Sequence, residues 1–228
     1  MKKTLIGLLL IFSLAFSASA NTANNDPLEG LNRVFFSFNQ ALDEALIKPA
    51  AKSYEKIMPS FFKDRLGDFF SNLGDVATGA NQLLQFRFDE GFETVGRVAA
   101  NSTVGLGGLF DVATGMGLKK GDEDFGQTMG AWGIGQGPYL VLPFFGSTTL
   151  RDLTGTAADA KLDASMFDGL DGVEKRTLSA LDVLSAEKDK TQVSVSFASS
   201  DAYTVQRQLY FSEREMAILD GLPAVSGE

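Results

Sequence analysis

Apolar residues recur at steps of three and four along the first third of the chain, the spacing of one face of an α-helix. In the first such segment these positions are Leu28, Leu31, Phe35, Phe38, Leu42 and Ala45. Asp26 and Pro27 precede it in the order that is typical of a helix N-cap and first turn. We therefore predict that the helix begins at Asp26 and ends at Pro49.

The same periodicity predicts further helices over 50–58, 60–73, 76–86, 88–103, 157–167, 172–188 and 202–219. We expect Pro59 and Gly74 to separate the earliest of them. Polar and apolar residues alternate over 191–197, as in a strand, but no second strand is predicted, so we interpret this segment as an extended connector. The pattern is that of an all-α single domain without internal repeats.

A segment without charged side chains, 125–150, follows the predicted helix 88–103 and would be long enough to cross a bilayer as one helix. One helix is excluded, because an interior glycine costs about 0.5–1 kcal/mol and an interior proline about 3 kcal/mol. The residues that break it are Gly126, Gly130, Gly133, Gly135, Gly137, Pro138, Pro143 and Gly146. At membrane depth, irregular backbone persists only where protein buries it or where it lines a water-filled cavity. This favours a protein that handles lipid and does not span the bilayer.

Several predicted helices carry apolar residues on more than one side, and the chain contains 19 phenylalanines. Such helices are expected where one face packs on protein and another meets acyl chains, although ordinary core packing explains any single phenylalanine equally well. The formal net charge of −9 argues against binding to nucleic acid and against a polybasic membrane patch. The absence of cysteine and histidine removes disulfides and the commonest metal ligands and general base.

Residues 1–20 have the pattern of a secretory signal peptide. Two lysines precede a short apolar stretch, and Ala18 and Ala20 form a small-residue cleavage site. We expect cleavage after Ala20, because the apolar stretch is short for a retained membrane anchor. The mature domain is then predicted to be 21–228.

Motifs for enzymatic chemistry are not found. The glycines lack dinucleotide-binding spacing, no phosphate-binding loop or nucleophile elbow occurs, and a serine nucleophile would lack a histidine base. The acidic turn 122–124 lacks the spacing of a calcium loop, so we interpret it as a solvated turn. We predict no catalytic residue, no cofactor and no metal site.

Motifs in the same order along the chain resemble those of the MlaA/VacJ family of Gram-negative outer membranes. They are NDPLEG (25–30), NSTVGLGGLFD (101–111), DFGQT (124–128), GAWGIGQGPY (130–139), TLRD (149–152) and SDAY (200–203). The resemblance implies a ring of amphipathic helices in the inner leaflet of the outer membrane, around a central amphipathic channel that an irregular glycine-rich segment lines. It also implies that phospholipids pass through this channel from the outer leaflet to a soluble periplasmic carrier, MlaC, and that the ring associates with a trimeric porin.

Two positions depart from the family pattern. The family is usually anchored through a lipid-modified cysteine, and this chain has none, so we expect retention by apolar surface or by the porin. The usual Leu-Leu-Gln-Gly turn reads LLQF here, with Phe86 in place of the glycine, which leaves the conformation of the turn open.

We predict that a first glycine segment (101–117) and a second glycine segment (130–138) border the lipid path, because glycine exposes polar backbone and allows close helix approach. The candidate lining residues are Phe35, Asn39, Asn101, Gly105, Gly107, Gly108, Met116, Gly117, Trp132, Gly133, Gly135, Gly137 and Pro138. The alternative is that these glycines serve only tight packing. Bulky residues at Gly105, Gly107 or Gly108 are expected to impair lipid removal at unchanged protein level.

Three other expectations concern side chains and function. Trp132 and Tyr139 are placed at the water–lipid boundary or in the core, and Arg151 and Asp152 are expected to pair. A soluble periplasmic lipid-binding protein and a structural porin-associated protein without its own lipid path remain alternatives to the channel.

Overall fold

The structure is a computed structural model that describes residues 26–166 and 201–220. It is mostly helical, as predicted. Helix α1 spans Glu29–Leu42, continues through a single π-helical turn at Asp43–Ile47, and joins α2, Lys48–Ile57. Pro49 does not end the first helix, because it occupies the first turn of α2, where its missing N–H is not needed.

Helices α3, Ser60–Leu84, and α4, Phe88–Thr103, form the longest antiparallel pair. The predicted break at Gly74 was wrong, since α3 runs through it as one helix of 25 residues. The helices approach closely at Gly91, where an added Cβ would lie 2.6 Å from a methyl carbon of Leu83. This packing outweighs the helix penalty of an interior glycine, which is about 1 kcal/mol.

The turn between α3 and α4 contains a left-handed residue, Phe86, at the position where the family resemblance implies a glycine. Phe86 has a φ of +64°, and its side chain is 74% exposed. For a residue with a Cβ this conformation costs roughly 1–2 kcal/mol. The turn therefore has the geometry that glycine favours, and the phenylalanine is strained in it.

Replacing Phe86 with glycine is expected to raise the free energy of unfolding by about 1 kcal/mol, because the left-handed strain is removed. The exposed ring contributes little packing, so its loss does not cancel this gain. Thermal unfolding in detergent measures the effect. Phe86→Ala is the control, since it removes the ring but keeps the strain, and equal melting temperatures for the two variants would contradict the interpretation.

Two short helices follow, α5 at Val112–Gly115 and α6 at Phe125–Ala131. Each begins at an aspartate whose carboxylate accepts a backbone hydrogen bond three residues later: Asp111 from Thr114 N at 3.1 Å and Asp124 from Gln127 N at 2.8 Å. Such caps satisfy N–H groups that a helix start leaves without partners. They fix where the irregular midsection becomes helical.

A two-stranded antiparallel hairpin corrects the all-α prediction. Strand β1, Tyr139–Leu142, pairs with β2, Gly146–Thr149, in a register that places Tyr139 opposite Thr149. Its turn lies against α1, because Asn39 donates to the Leu142 carbonyl and accepts from Phe144 N, both at 2.9 Å. These two hydrogen bonds attach the hairpin turn to α1.

The last described elements are α7, Leu150–Met166, and α8, Ala202–Asp220. The prediction for the final helix is confirmed, whereas α7 begins directly after β2 and not at residue 157. The predicted segments 172–188 and 191–197 lie outside the described residues. Helix α8 packs against α6 and β2, so the end of the described chain closes over its irregular midsection.

Candidate functional site

The interior of the described region is unusually polar. It buries sixteen polar or charged residues against six hydrophobic ones. The apolar core cluster consists of Tyr139, Val141 and Tyr203, with Phe35, Phe36, Tyr210 and Phe211 packed on it. Tyr139 is completely buried and therefore belongs to the core, not to a water–lipid boundary.

A first buried network centres on Arg97, which is 0% exposed. Its guanidinium donates to Asp75 at 3.2 Å, to Asp111 at 3.2 Å and to the Leu118 carbonyl at 2.7 Å. Burial raises the pKa of Asp111, but hydrogen bonds from Thr114, Asn101 and Arg97 together outweigh this effect and bring the pKa to about 2. The network ties the first glycine segment to both α3 and α4.

A second buried network joins α6, α7 and α8 through Arg214. Its Nη2 donates to Asp124 Oδ1 at 2.9 Å and to Asp152 Oδ1 at 3.0 Å. Arg151 also donates to Asp152 at 2.9 Å, which confirms the expected ion pair. Burial raises the pKa of both carboxylates, but bonds from Tyr210 and Arg214 to Asp152, and from Arg214 to Asp124, hold each pKa below its usual value.

A third network joins the start of the described chain to α8. Asp26 is buried and accepts hydrogen bonds from Asn32 at 2.7 Å, from Arg207 at 3.0 Å and from the Tyr203 hydroxyl. Asn32 also donates to the Tyr139 carbonyl at 3.0 Å. The prediction that Asp26 caps α1 was wrong, because its carboxylate faces α8 and the helix begins at Glu29.

The acidic turn is also not the solvated turn that its composition suggested. Glu123 is 7% exposed, pairs with Arg87 and accepts from Gln85 Nε2 at 2.8 Å. Asp124 is held by Arg214 as described above, although part of its side chain remains exposed, and Asp122 is exposed. Sequence proximity grouped these three carboxylates, but the fold gives two of them separate arginine partners.

Many large hydrophobic side chains are exposed on the described part of the surface. We call the following exposed side chains the apolar surface: Leu28, Leu31, Val34, Phe38, Leu46, Ile57, Phe61, Phe62, Leu84, Phe86, Phe88, Phe92, Val95, Val104, Leu106, Leu109, Met116, Trp132, Ile134, Phe144 and Phe145. On α4 the division is sharp: Phe88, Phe92 and Val95 are exposed, while Thr94 and Arg97 are buried. Exposed apolar patches of this kind mark contact with lipid or another protein.

Some residues of the first glycine segment are closely packed against their neighbours. An added Cβ at Gly105 would lie 2.2 Å from the Phe110 carbonyl oxygen, and one at Gly108 would lie 2.7 Å from Asn72 Nδ2. Asn101 is buried and donates to Asp111 at 3.2 Å. These three candidate residues shape the segment from inside, so bulky substitutions at Gly105 and Gly108 are expected to lower the amount of folded protein.

Other glycines of the first glycine segment are open. Gly107 and Gly117 have φ values of +74° and +85°, and nothing would contact a Cβ at either position. Met116, which precedes Gly117 in the chain, is 59% exposed. The segment therefore presents bare backbone next to apolar side chains.

The second glycine segment also contains both open and closely packed residues. Trp132 is 48% exposed and donates its indole N–H to the Leu84 carbonyl at 3.1 Å. Gly133 and Gly135 face open space, whereas a Cβ at Gly137 would lie 3.1 Å from Leu150 Cβ. The backbone carbonyl of the half-buried Pro138 accepts from Leu150 N at 3.2 Å.

The two glycine segments contact different parts of α3, around Asn72 and Leu84, which lie about 18 Å apart along the helix at 1.5 Å per residue. The candidate residues Phe35 and Asn39 contact the hairpin that follows the second segment: Phe35 packs on the core cluster that includes Tyr139, and Asn39 bonds the hairpin turn. Within the described residues, no helix combines the length and apolar character needed to cross a bilayer.

Sequence reasoning missed the exposed hairpin tip, Phe144 and Phe145, and the arginine partners in α8. The turn residues Pro143 and Gly146, between short apolar runs, are the signal that identifies the hairpin. Arg214 carries no local signal, because its partners are 90 and 62 residues away.

Comparisons with known proteins agree with this architecture. The model of the family described as MlaA lipoprotein matches residues 24–217. An uncharacterised protein of Rickettsia typhi is 43% identical over 129 residues, which are 57% of this chain and 51% of the relative. The chain thus spans about half the length of the Rickettsia relatives it matches.

Longer alignments come from two enterobacterial proteins, each called intermembrane phospholipid transport system lipoprotein MlaA. The one from Shigella flexneri is 34% identical and the one from Escherichia coli K12 is 33% identical, each over 92% of this chain and 85% of the relative. A solved structure, described as the structural basis for maintenance of bacterial outer membrane lipid asymmetry, matches with a TM-score of 0.72 and 31% identity, over 85% of this chain and 98% of that one. The chain therefore belongs to the MlaA lipoprotein family.

Proposed function

We propose that the protein transports phospholipids that stray into the outer leaflet of the outer membrane, passing them through an amphipathic channel to a soluble periplasmic carrier and so maintaining lipid asymmetry. The proposal is one of transport, not of catalysis. It is supported by the names of the enterobacterial relatives, which are described as parts of an intermembrane phospholipid transport system. The single observation that carries it is the combination of a polar interior with an apolar surface.

This distribution suits a protein that lies within one leaflet. Each large apolar side chain moved from water into lipid contributes roughly 1.5–3 kcal/mol, and the apolar surface contains many of them. The buried networks around Arg97 and Arg214 pair their charges internally, so the interior needs no water to solvate them. We infer that the domain 21–228, after loss of the signal peptide 1–20, is embedded in the inner leaflet from the periplasmic side.

The lipid path must accept a charged headgroup. Even the lowest scales place the cost of a charge at mid-bilayer at about 2.5–3.5 kcal/mol. Bare backbone at Gly107, Gly117, Gly133 and Gly135 offers polar groups beside apolar side chains, which is the pairing that an amphiphile requires. We propose that these glycines, with Met116, Trp132, Phe35 and Asn39, border the channel, while Asn101, Gly105, Gly108, Gly137 and Pro138 hold its shape.

The proposed partners follow from the family. They are the periplasmic lipid carrier MlaC and a trimeric outer-membrane porin. The family description is that of a lipoprotein, but the printed sequence has no cysteine to which a thioether-linked lipid can attach. We therefore propose that the apolar surface and the porin retain the protein at the membrane.

Transfer of phospholipid from proteoliposomes to a soluble acceptor tests this function. The wild-type protein is expected to accelerate transfer, and Gly135→Trp is expected to slow it about tenfold, the change that a barrier increase of roughly 1.4 kcal/mol produces. Gly135 has open space around it and no left-handed backbone, so the variant is expected to fold. Fluorescent phospholipid in the acceptor fraction is the measured quantity.

Gly74→Trp is the matched control, because Gly74 is also open but lies outside both glycine segments. Equal transfer rates for the two variants would remove the second glycine segment from the path. Absence of transfer with intact porin binding would favour the structural porin-associated protein. Release from membranes by a high-salt wash would favour a soluble lipid-binding protein.

A further inference from the structure

A cleft of about 320 Å³ lies between α3, the start of α4 and the loop around Gly121. Small-ligand sites usually have volumes of about 300–1,000 Å³, so this cleft is at the lower end of that range. Its described walls carry charges of both signs, including Arg87, Lys119, Glu90 and Asp122. None of the motifs or channel candidates discussed above accounts for it.

Gln82 lines the cleft and has an amide donor without an acceptor among the described residues. Gln82 is 3% exposed, and its Oε1 accepts a hydrogen bond from Thr94 Oγ1 at 2.7 Å. Its Nε2 lies beside Gly121, where an added Cβ would come within 2.4 Å of it. No acceptor for this Nε2 is found in 26–166 or 201–220. A ligand oxygen in the cleft can therefore accept a hydrogen bond from this Nε2.

The charges of the cleft differ in how far they are already paired. Arg87 forms ion pairs with Glu90 and Glu123. The side chains of Lys119 and Asp122 are exposed, and neither makes an ion pair with the part of the chain that the structure describes. A ligand that carries one anionic and one cationic group can pair with Lys119 and Asp122 without breaking the existing ion pairs. A simple anion would instead face several carboxylates.

We infer that this cleft binds the phosphoethanolamine headgroup of a phospholipid. Gln82, Arg87 and Lys119 supply donors for the phosphate oxygens, and Asp122 with Glu90 accepts hydrogen bonds from the primary ammonium group. A choline headgroup fits less well, because quaternary ammonium is bound by aromatic rings and no aromatic residue is among the described residues that line the cleft.

The surroundings of the cleft favour a headgroup that carries acyl chains over a free zwitterion. Arg87 lies in the chain between Phe86 and Phe88, whose side chains are 74% and 52% exposed. Acyl chains can therefore lie on the apolar surface while the headgroup occupies the cleft. This inference rests on the proposed function and adds to it a headgroup class and a site.

Native mass spectrometry of the full chain in detergent tests the inference. The probes are phosphatidylethanolamine, phosphatidylcholine and phosphatidylglycerol with identical short acyl chains. Asp122→Asn is expected to reduce phosphatidylethanolamine binding about tenfold, the effect of losing one charge-assisted hydrogen bond, and to leave phosphatidylglycerol unchanged. Lys119→Gln is expected to weaken all three lipids by a similar factor, because each has a phosphate.

Asp89→Asn is the matched control, since Asp89 is an exposed aspartate at the start of α4, next to the cleft residue Glu90, but does not line the cleft. A preference of the wild type for phosphatidylethanolamine that Asp122→Asn loses and Asp89→Asn keeps supports the inference. Equal binding of the three lipids, or equal behaviour of the two variants, overturns it and leaves the proposed function standing. Absence of any bound lipid in the wild type overturns both.

Discussion

Replacing Arg214 with methionine is expected to lower the free energy of unfolding by about 3 kcal/mol at pH 7, because it leaves two carboxylates without their shared cation. Asp152 is almost fully buried and contributes most of this loss, whereas the Asp124 side chain is 40% exposed and contributes less. Methionine retains much of the apolar stem of arginine, so packing changes little. Denaturant unfolding in detergent measures the difference.

The pH dependence of this loss has a definite sign. In the wild type the folded-state pKa values of Asp124 and Asp152 lie below the ordinary value of 3.8, so their stabilisation is complete above about pH 4 and is lost as the pH falls through the folded values. In the variant, Asp152 keeps Arg151 and Tyr210 as partners, but both carboxylates lose the contribution of Arg214, so both folded-state pKa values rise from their wild-type values. The stability deficit is therefore expected to narrow as the pH falls towards the folded-state pKa values of the variant.

Arg33→Met is the control for the loss of a paired arginine. Arg33 pairs with Glu29 and Asp201, which are exposed, and such pairs contribute roughly 0–1 kcal/mol. A deficit of similar size in the two variants, or a deficit for Arg214→Met that does not change with pH, would show that the buried network does not act as described.

The sequence was most informative where structure depends on local pattern. Helix α4 was predicted with its observed bounds, because its exposed and buried faces alternate at helical spacing. Pro49 and Gly74 misled the prediction, since a proline is tolerated in a first helical turn and a glycine costs less than the α3–α4 packing contributes. The hairpin was missed because strands of four residues give almost no periodic signal.

The candidate site was predictable in composition but not in detail. A glycine-rich, uncharged midsection indicated irregular backbone, yet sequence alone did not distinguish Gly105, which packs on backbone, from Gly135, which is open. The distinction depends on neighbours in space. The polar interior was equally hidden, because Arg97 and Arg214 sit in helices whose sequences resemble ordinary amphipathic ones until their aspartate partners are placed.

Introducing aspartate at both Phe144 and Phe145 is expected to release the protein from membranes. These side chains are 70% and 85% exposed at the hairpin tip, and Asn39 holds the turn that presents them. On an insertion scale where phenylalanine is slightly favourable and aspartate costs about 2.5–3.5 kcal/mol, the double change opposes burial in hydrocarbon by several kcal/mol. We therefore expect the partition coefficient into vesicles to fall more than tenfold in a flotation assay.

The same hairpin offers a control that separates lipid contact from folding. Phe144 has a φ of +70°, a conformation that aspartate adopts more readily than phenylalanine does, so the double variant is expected to melt in detergent at a temperature close to that of the wild type. Leucine at both positions keeps the tip apolar and should preserve flotation. If the aspartate variant floats as well as the leucine variant, the hairpin tip does not enter lipid, and retention at the membrane must depend on the apolar faces of α1 and α4 alone.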